Sequence, residues 1–247
     1  MRALGKSVVG MCRTNNEDAI YFPKSKDSKY NVYIVADGMG GCNAGEVASS
    51  TAVKSFLEYL EQKRKVGTDA NREILDTLVE GVAYVNQKVY EKSQESPDFW
   101  QMGTTFIVAA IDENNKLYIV YVGDSRVYLL HGEEPITQLT TDHSYVMELV
   151  RTGNISLEEA AVHPKRNLIT RAIGIRETVE PDSVIVDVKE GDFILLCSDG
   201  LSNMLTNLEI ESILKEEIDL QQKVDKMINL ANEKGGFDNI SLVLIER

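Results

Sequence analysis

Cysteine, proline and tryptophan are scarce in this chain, with three, five and one residues among 247. Cys12, Cys42 and Cys197, an odd number, form no C-x-x-C pair, which argues against a thiolate zinc site and a disulfide framework and fits a reducing compartment. No Pro-, Gly- or Ser-rich stretch divides the sequence, so a single domain over residues 1–247 is expected. No run approaches the ~20 apolar residues of a membrane span, and the opening MRALGKSVVGMCRTNNED lacks the apolar core of a signal peptide. The expectation is a cytoplasmic protein with no membrane insertion. Basic charge is also in deficit: 26 Lys and Arg stand against 39 Asp and Glu, for a formal charge of -13. Such a field repels phosphate backbones and argues against nucleic acid as a partner.

The chain is 43% apolar, and that content is patterned. AGEVASSTAVKSFLEYLEQKRK puts Ala48, Ala52, Phe56 and Tyr59 on one helical face, and NREILDTLVEGVAYVNQKVYEKSQE does the same with Ile74, Leu78, Val82, Val85 and Val89. From Gly103 to Leu139 short β-rich runs, TTFIVAAID, KLYIVYVGD and SRVYLLHG, are separated by turn signals and read as an antiparallel meander. A polar stretch of about 141–180, with short helices at SYVMELVRTG and SLEEAA, reads as an elaborated loop or flap. DSVIVDV and DFILLCSDG are strands, NLEIESILKEE and LQQKVDKMINLANEKG are helices, and FDNISLVLIE closes as a strand. Strands bunched between helix pairs point to sheet packed on sheet with helices outside.

Three strands run into acid. VYIVADGMGG, ILLCSDGLSN and GGFDNISLVLI each set an Asp where an apolar run meets a Gly or Asn turn: Asp37, Asp199 and Asp238. Asp124 in YVGDSR and the pair Glu17 and Asp18 add to the set. One such Asp is ordinary turn chemistry. Several converging carboxylates repel one another unless cations join them, and Mg²⁺ or Mn²⁺ selects oxygen ligands, including a carbonyl that glycine leaves accessible. Other glycine-loop chemistries fail on inspection. GMGGCNAG has no Gly-Lys-Ser/Thr ending and carries Asn43 where a dinucleotide fingerprint needs its third glycine. DENNKLYIVYVG has Leu117 and Gly123 where a calcium-hand loop needs Gly and Glu.

In chain order, RTNNEDA, ADGMGG.NAGEVAS, MGTT, VGDSR, DHS, HP..N.ITRAIG, LLCSDGLSN and GG.DNIS resemble the metal-dependent serine/threonine protein phosphatases of the type 2C class, bacterial branch. The similarity runs from Gly10 to Leu244. It implies an α+β fold, a four-layer α-β-β-α sandwich of two packed antiparallel sheets flanked by helices. It also implies two tightly bound Mn²⁺ or Mg²⁺ ions and a labile third.

Carried over by position, the resemblance makes Asp37 the bridge between two ions and the Gly38 carbonyl a ligand of one. Asp199 and Asp238 hold the other, Asp18 acts directly or through water, and Glu17 is a weaker candidate. Asp124 shares the third-ion position with Asp199. A water between two ions, its pKa falling from 15.7 toward ~7, attacks phosphorus in line without a covalent phosphoenzyme. Arg13 matches the arginine that grips the substrate phosphate. Ser125 and Arg126 are expected to shape the turn at Asp124, Thr104 and Thr105 to be structural, and His143 and His163 to be structural or at the substrate edge.

The chain departs from the family twice. Met39 stands where animal relatives have His, and Cys42 where bacterial relatives usually do, leaving a metal-bound water as proton donor. Cys42 is either an inert small side chain or, beside metals, an oxidisable one. The expected partners are phosphoserine and phosphothreonine proteins and a cognate Ser/Thr kinase, with the chain acting as a monomer. The alternative is a catalytically weak, regulatory phosphoprotein-binding homologue of the same fold.

Overall fold

The computed structural model describes residues 1–24, 31–41, 44–66 and 74–247. Its architecture follows from strands that are apolar on both faces. In β3 (Val32–Met39), Tyr33 and Val35 face one buried cluster while Val32, Ile34 and Ala36 face another. Side chains alternate along a strand, so a continuous apolar run demands cover on both sides. One side is met by a second sheet and the other by helices.

The first sheet runs β2 (Asp18–Tyr21), β3, β5 (Phe106–Ile111), β6 (Lys116–Val122), β9 (Asp182–Asp187), with the two-residue β4 (Gly103–Thr104) on the end of β3. The second runs β1 (Arg2–Val8), β11 (Ile240–Glu246), β10 (Phe193–Cys197), β7 (Arg126–Leu130), β8 (Thr137–Gln138). Every pairing is antiparallel. Helices α1 (Ala44–Val66) and α2 (Ile74–Ser93) cover the first sheet through Ala48, Phe56, Val82 and Val85. On the outer face of the second sheet, α5 (Asp199–Ser202), α6 (Asn207–Lys215) and α7 (Leu220–Glu233) pack Leu201, Ile210, Val224 and Met227. Between the sheets lie Ile107, Ile119, Leu196 and Val243. The four expected layers are present.

Two short helices, α3 (Tyr145–Arg151) and α4 (Leu157–Ala161), lie in the polar stretch of about 141–180, where both were expected. Ser144 caps the first by accepting the Met147 amide, and Ser156 with Glu159 forms a capping box on the second. No helix among the described residues is long and apolar enough to cross a membrane.

Two expectations are corrected. The run from Gly103 to Leu139 is not one meander: β5 and β6 form a hairpin, but β7 pairs with β10 and β8 in the other sheet. The chain changes sheets at Gly123, whose φ of +113° suits glycine and whose missing Cβ would stand 2.6 Å from Thr105 Cβ. Hydrophobic alternation is the same in either sheet and does not reveal the crossing. Asp37, read as strand-terminal, lies inside β3, because the short strands β2 and β4 extend the pairing to Asp37 and Gly38.

Candidate active site

The register that buries β3 also aims its acid. The parity that sends Tyr33 and Val35 between the sheets sends Asp37, still inside the strand, the same way. On β2, Ile20 packs into that middle layer, and Asp18 shares its face. Asp18 and Asp37 are direct register partners. A one-residue slip would turn both away. The layer that prevents it is made of side chains each contributing about 1.5–3 kcal/mol on burial.

From the other sheet come Asp199, which opens α5 after β10, and Asp238, two residues before β11. Ser198 lies against Ser241 through its amide to the Ser241 carbonyl, 3.0 Å, and through the Ser241 amide to Ser198 Oγ, 3.0 Å. Ser198 Oγ then donates to Asp18 Oδ2 at 2.9 Å, joining the two sheets at the acids. Gly200 is packed so closely that a Cβ would stand 1.9 Å from the Asn239 carbonyl oxygen. Asp124 joins from the β6–β7 crossing. Its neighbour Ser125 shares a 2.8 Å hydrogen bond with Thr105 Oγ1, which accepts the Asp37 amide at 2.9 Å.

The charges are close enough to disturb one another. Burial, followed by the charges of Asp18, Asp199, Asp124 and Asp238, pushes the Asp37 carboxyl well above the usual range. Burial pushes Asp18 up to about 7 against the lowering hydrogen bonds of Ser241 and Ser198. Burial and then Asp199 raise Asp124 to about 7, and burial and then Asp238 raise Asp199. Glu17 is also raised, by burial first. Its carbonyl accepts the Gly38 amide at 3.1 Å, while its carboxyl lies where a Cβ on Gly45 would be 2.8 Å from Cδ. Among the described residues, no three His, Cys, Asp or Glu side chains already converge tightly enough to hold an ion by themselves. The acids gather at one end of the sandwich, near enough for their charges to act on one another.

Arg13 reaches these acids, its Nη2 donating to Asp238 Oδ2 at 2.9 Å from a side chain 49% exposed. Its loop is clipped to the Asp238 loop by the Met11 and Cys12 amides, both on the Gly236 carbonyl. Asn239 strengthens the clip: its Oδ1 accepts the Glu17 amide at 2.8 Å, and its Nδ2 donates to the Val9 and Asn15 carbonyls at 2.9 and 2.7 Å.

A cavity of about 500 Å³ adjoins the acids, lined by Asp124 and Asp199 together with Met147, Leu157 and Arg166. Arg126 holds Asp142 through Nε and Nη2, 3.0 and 2.7 Å, fixing the start of the 141–180 stretch. Thr104 and Thr105 both donate to the Asp37 carbonyl. His163 stays away from the acids, accepting the Lys165 amide and lying beside the Tyr145 ring. Met39 is half-buried opposite Gly103. Cys42 and Asn43 lie outside the described residues. The sequence reading missed Ser198, Asn239 and Ser241 as residues that hold the acids in place. Their only signal is adjacency to Asp199 and Asp238.

Comparison with known proteins agrees with this arrangement. A family description, protein phosphatase 2C, matches residues 13–244. The serine/threonine phosphatase stp of Listeria monocytogenes is 43% identical over 238 residues, spanning 96% of this chain and 92% of its own. The crystal structure of the Mycobacterium tuberculosis serine/threonine phosphatase PstP/Ppp superposes with a TM-score of 0.87 at 35% identity, covering 99% of this chain and 97% of that one. The catalytic domain of PstP in complex with two manganese ions superposes at 0.83 and 34% identity, over 99% of this chain and 97% of that one. The acids on crossing sheet ends, the two packed sheets and these matches lead to one assignment: the chain belongs to the protein phosphatase 2C family.

Proposed function

We propose that this chain is a metal-dependent protein phosphatase, one domain that hydrolyses phosphoserine and phosphothreonine in proteins. The observation that carries the reading is the ring of Asp18, Asp37, Asp124, Asp199 and Asp238, which five separate chain segments bring to one end of the sandwich. The ring suits a hard divalent cation. Its donors are all oxygen, and Asp18 Oδ1 and Asp124 Oδ1 are buried without a hydrogen-bond partner among the described residues. Cations would satisfy both atoms and offset the repulsion that raises the carboxyl pKa values.

Asp37 would serve two ions, with the Gly38 carbonyl and Asp18 on one side and Asp199 and Asp238 on the other. Asp124 and Asp199 would offer a weaker third position. When bound, the ions supply an activated water for in-line attack on phosphorus. The protein's own groups do the rest. Ser198 orients Asp18, Thr105 and Ser125 fix Asp37 relative to Asp124, and Asn239 fixes the Asp238 loop. Arg13, exposed and joined to Asp238, is free to turn its fork toward two phosphate oxygens. The cavity beside Asp124 and Asp199 gives the substrate chain room. Met39 carries no proton for the leaving alkoxide, so solvent at the site supplies it. The intact acids favour this reading over a catalytically weak binding homologue.

The setting we infer is the cytoplasm, opposite a Ser/Thr kinase whose products this chain reverses. The test is hydrolysis of a phosphothreonine peptide with and without Mn²⁺. Turnover that needs Mn²⁺ and stops with EDTA and with Asp37→Asn supports the reading. Full turnover in excess chelator contradicts it.

A further inference from the structure

The flap begins at His143, which is 3% exposed and forms two hydrogen bonds with a single glycine. The His143 amide donates to the Gly123 carbonyl at 3.0 Å, and the Gly123 amide donates to His143 Nδ1 at 3.0 Å. Because the glycine N–H can only donate, Nδ1 must be the unprotonated ring nitrogen. The ring proton therefore sits on Nε2, which lies 3.2 Å from Asp182 Oδ2 without making a hydrogen bond among the described residues; Arg171 holds that carboxylate at 2.7 Å. The ring is stacked on Tyr121, centroids 5.1 Å apart.

Gly123 is where the chain crosses between sheets, at φ +113°, and the next residue is Asp124. Nothing in the pattern of either strand fixes such a corner, and the imidazole supplies what the ladders cannot. The carbonyl of His143 also accepts the Thr170 amide at 2.8 Å, and Ser144 pairs with Ile169, so the two roots of the flap close on this same residue.

We propose that His143 is a positioning residue: as its Nε2–H tautomer it holds the Gly123 corner and so aims the Asp124 carboxylate into the acid ring. The inference rests on the phosphatase reading for the role of Asp124. His143 touches neither substrate nor ion; it acts through Gly123. Replacing it by an apolar side chain leaves the Gly123 amide buried and unmet, and the corner is then held only by its carbonyl.

The decisive comparison uses His143→Leu, which removes the acceptor, and His143→Asn, whose amide oxygen can occupy the Nδ1 position. The first readout is free of metal: ¹⁵N NMR of the metal-free protein should show His143 Nδ1 unprotonated and Nε2 protonated, and a protonated Nδ1 overturns the proposal. The second is calorimetric titration of Mn²⁺. His143→Leu should weaken the weakest Mn²⁺ step about tenfold or more, His143→Asn should restore it to within about threefold, and His143→Leu should add nothing in an Asp124→Asn background. A loss of equal size in that background, or unchanged Mn²⁺ affinity in a folded His143→Leu, overturns the positioning role. Wild-type protein that bound no Mn²⁺ would instead overturn the phosphatase reading and this inference together, even with the tautomer as stated. Far-UV circular dichroism on each variant separates these results from misfolding, and His143→Asn provides the folded case if His143→Leu is lost.

Discussion

Asp18 and Asp37 stand directly opposite each other on neighbouring antiparallel strands, two half-buried carboxylates in register on the face that looks between the sheets. Like charges at such a position destabilise a sheet. The protein keeps this unfavourable pair and adds Asp199 and Asp238 to it from the opposite sheet. Bound positive charge, protons or cations, would relieve this repulsion.

The pair has a pH signature in metal-free protein. Asp18 rises from 3.8 to about 7 on folding through burial, so between those values the folded state holds a proton the unfolded chain has released. Stability therefore falls as pH rises through that window, and Asp124, also raised to about 7, acts in the same direction. In EDTA, the drop in Tm between pH 5 and 8 should be smaller in Asp18→Asn than in wild type. Saturating Mn²⁺ should remove most of the wild-type drop. Equal slopes in both proteins would mean that Asp18 ionises as it does unfolded.

Arg13 should separate binding from chemistry. Arg13→Ala is expected to raise KM for a phosphothreonine peptide about tenfold, about 1.4 kcal/mol, with a smaller change in kcat. Steady-state kinetics decide it. An unchanged KM removes Arg13 from the phosphate.

Gly38 has no room for a side chain: a Cβ there would stand 2.0 Å from the Gly45 carbonyl oxygen and 2.5 Å from that of Glu17. All of these neighbours are backbone and none can rotate aside. Gly38→Ala should cost more than about 3 kcal/mol in urea unfolding. A loss below about 1 kcal/mol would show that the strand end can move.

Asn239 is buried and satisfies one amide and two carbonyls on the loop that leads to Arg13 and Asp18. Asn239→Ala should destabilise the protein by about 2–4 kcal/mol and lower kcat/KM at temperatures where the fold survives. Asn239→Asp, which keeps only the acceptor side, should fall between. Activity and stability both at wild-type level would exclude the clip.

Much of this was legible in the sequence because burial is written as pattern. The double-faced apolar runs before Asp37 and Asp199 announce covered strands, and a carboxylate beside Gly at their ends is visible without a structure. The helices α1, α2, α6 and α7 read equally well from their spacing. Legibility fails where partners are distant. Strands β1 and β2 carry half-buried, mixed residues and become strands only by pairing with β11 and β3. The sheet change at Gly123 leaves the alternation of β6 and β7 untouched. Ser198, Asn239 and His143 are ordinary polar residues until the fold supplies Asp18, the Val9 carbonyl and the Gly123 amide.

The central claim is that acids from five segments make one divalent-cation centre. Crystals grown in Mn²⁺ and measured at the manganese edge test it directly. The expected map has two strong anomalous peaks flanking the Asp37 carboxylate, with Gly38, Asp199 and Asp238 as further ligands. A map without anomalous density at the Asp37 carboxylate would contradict it.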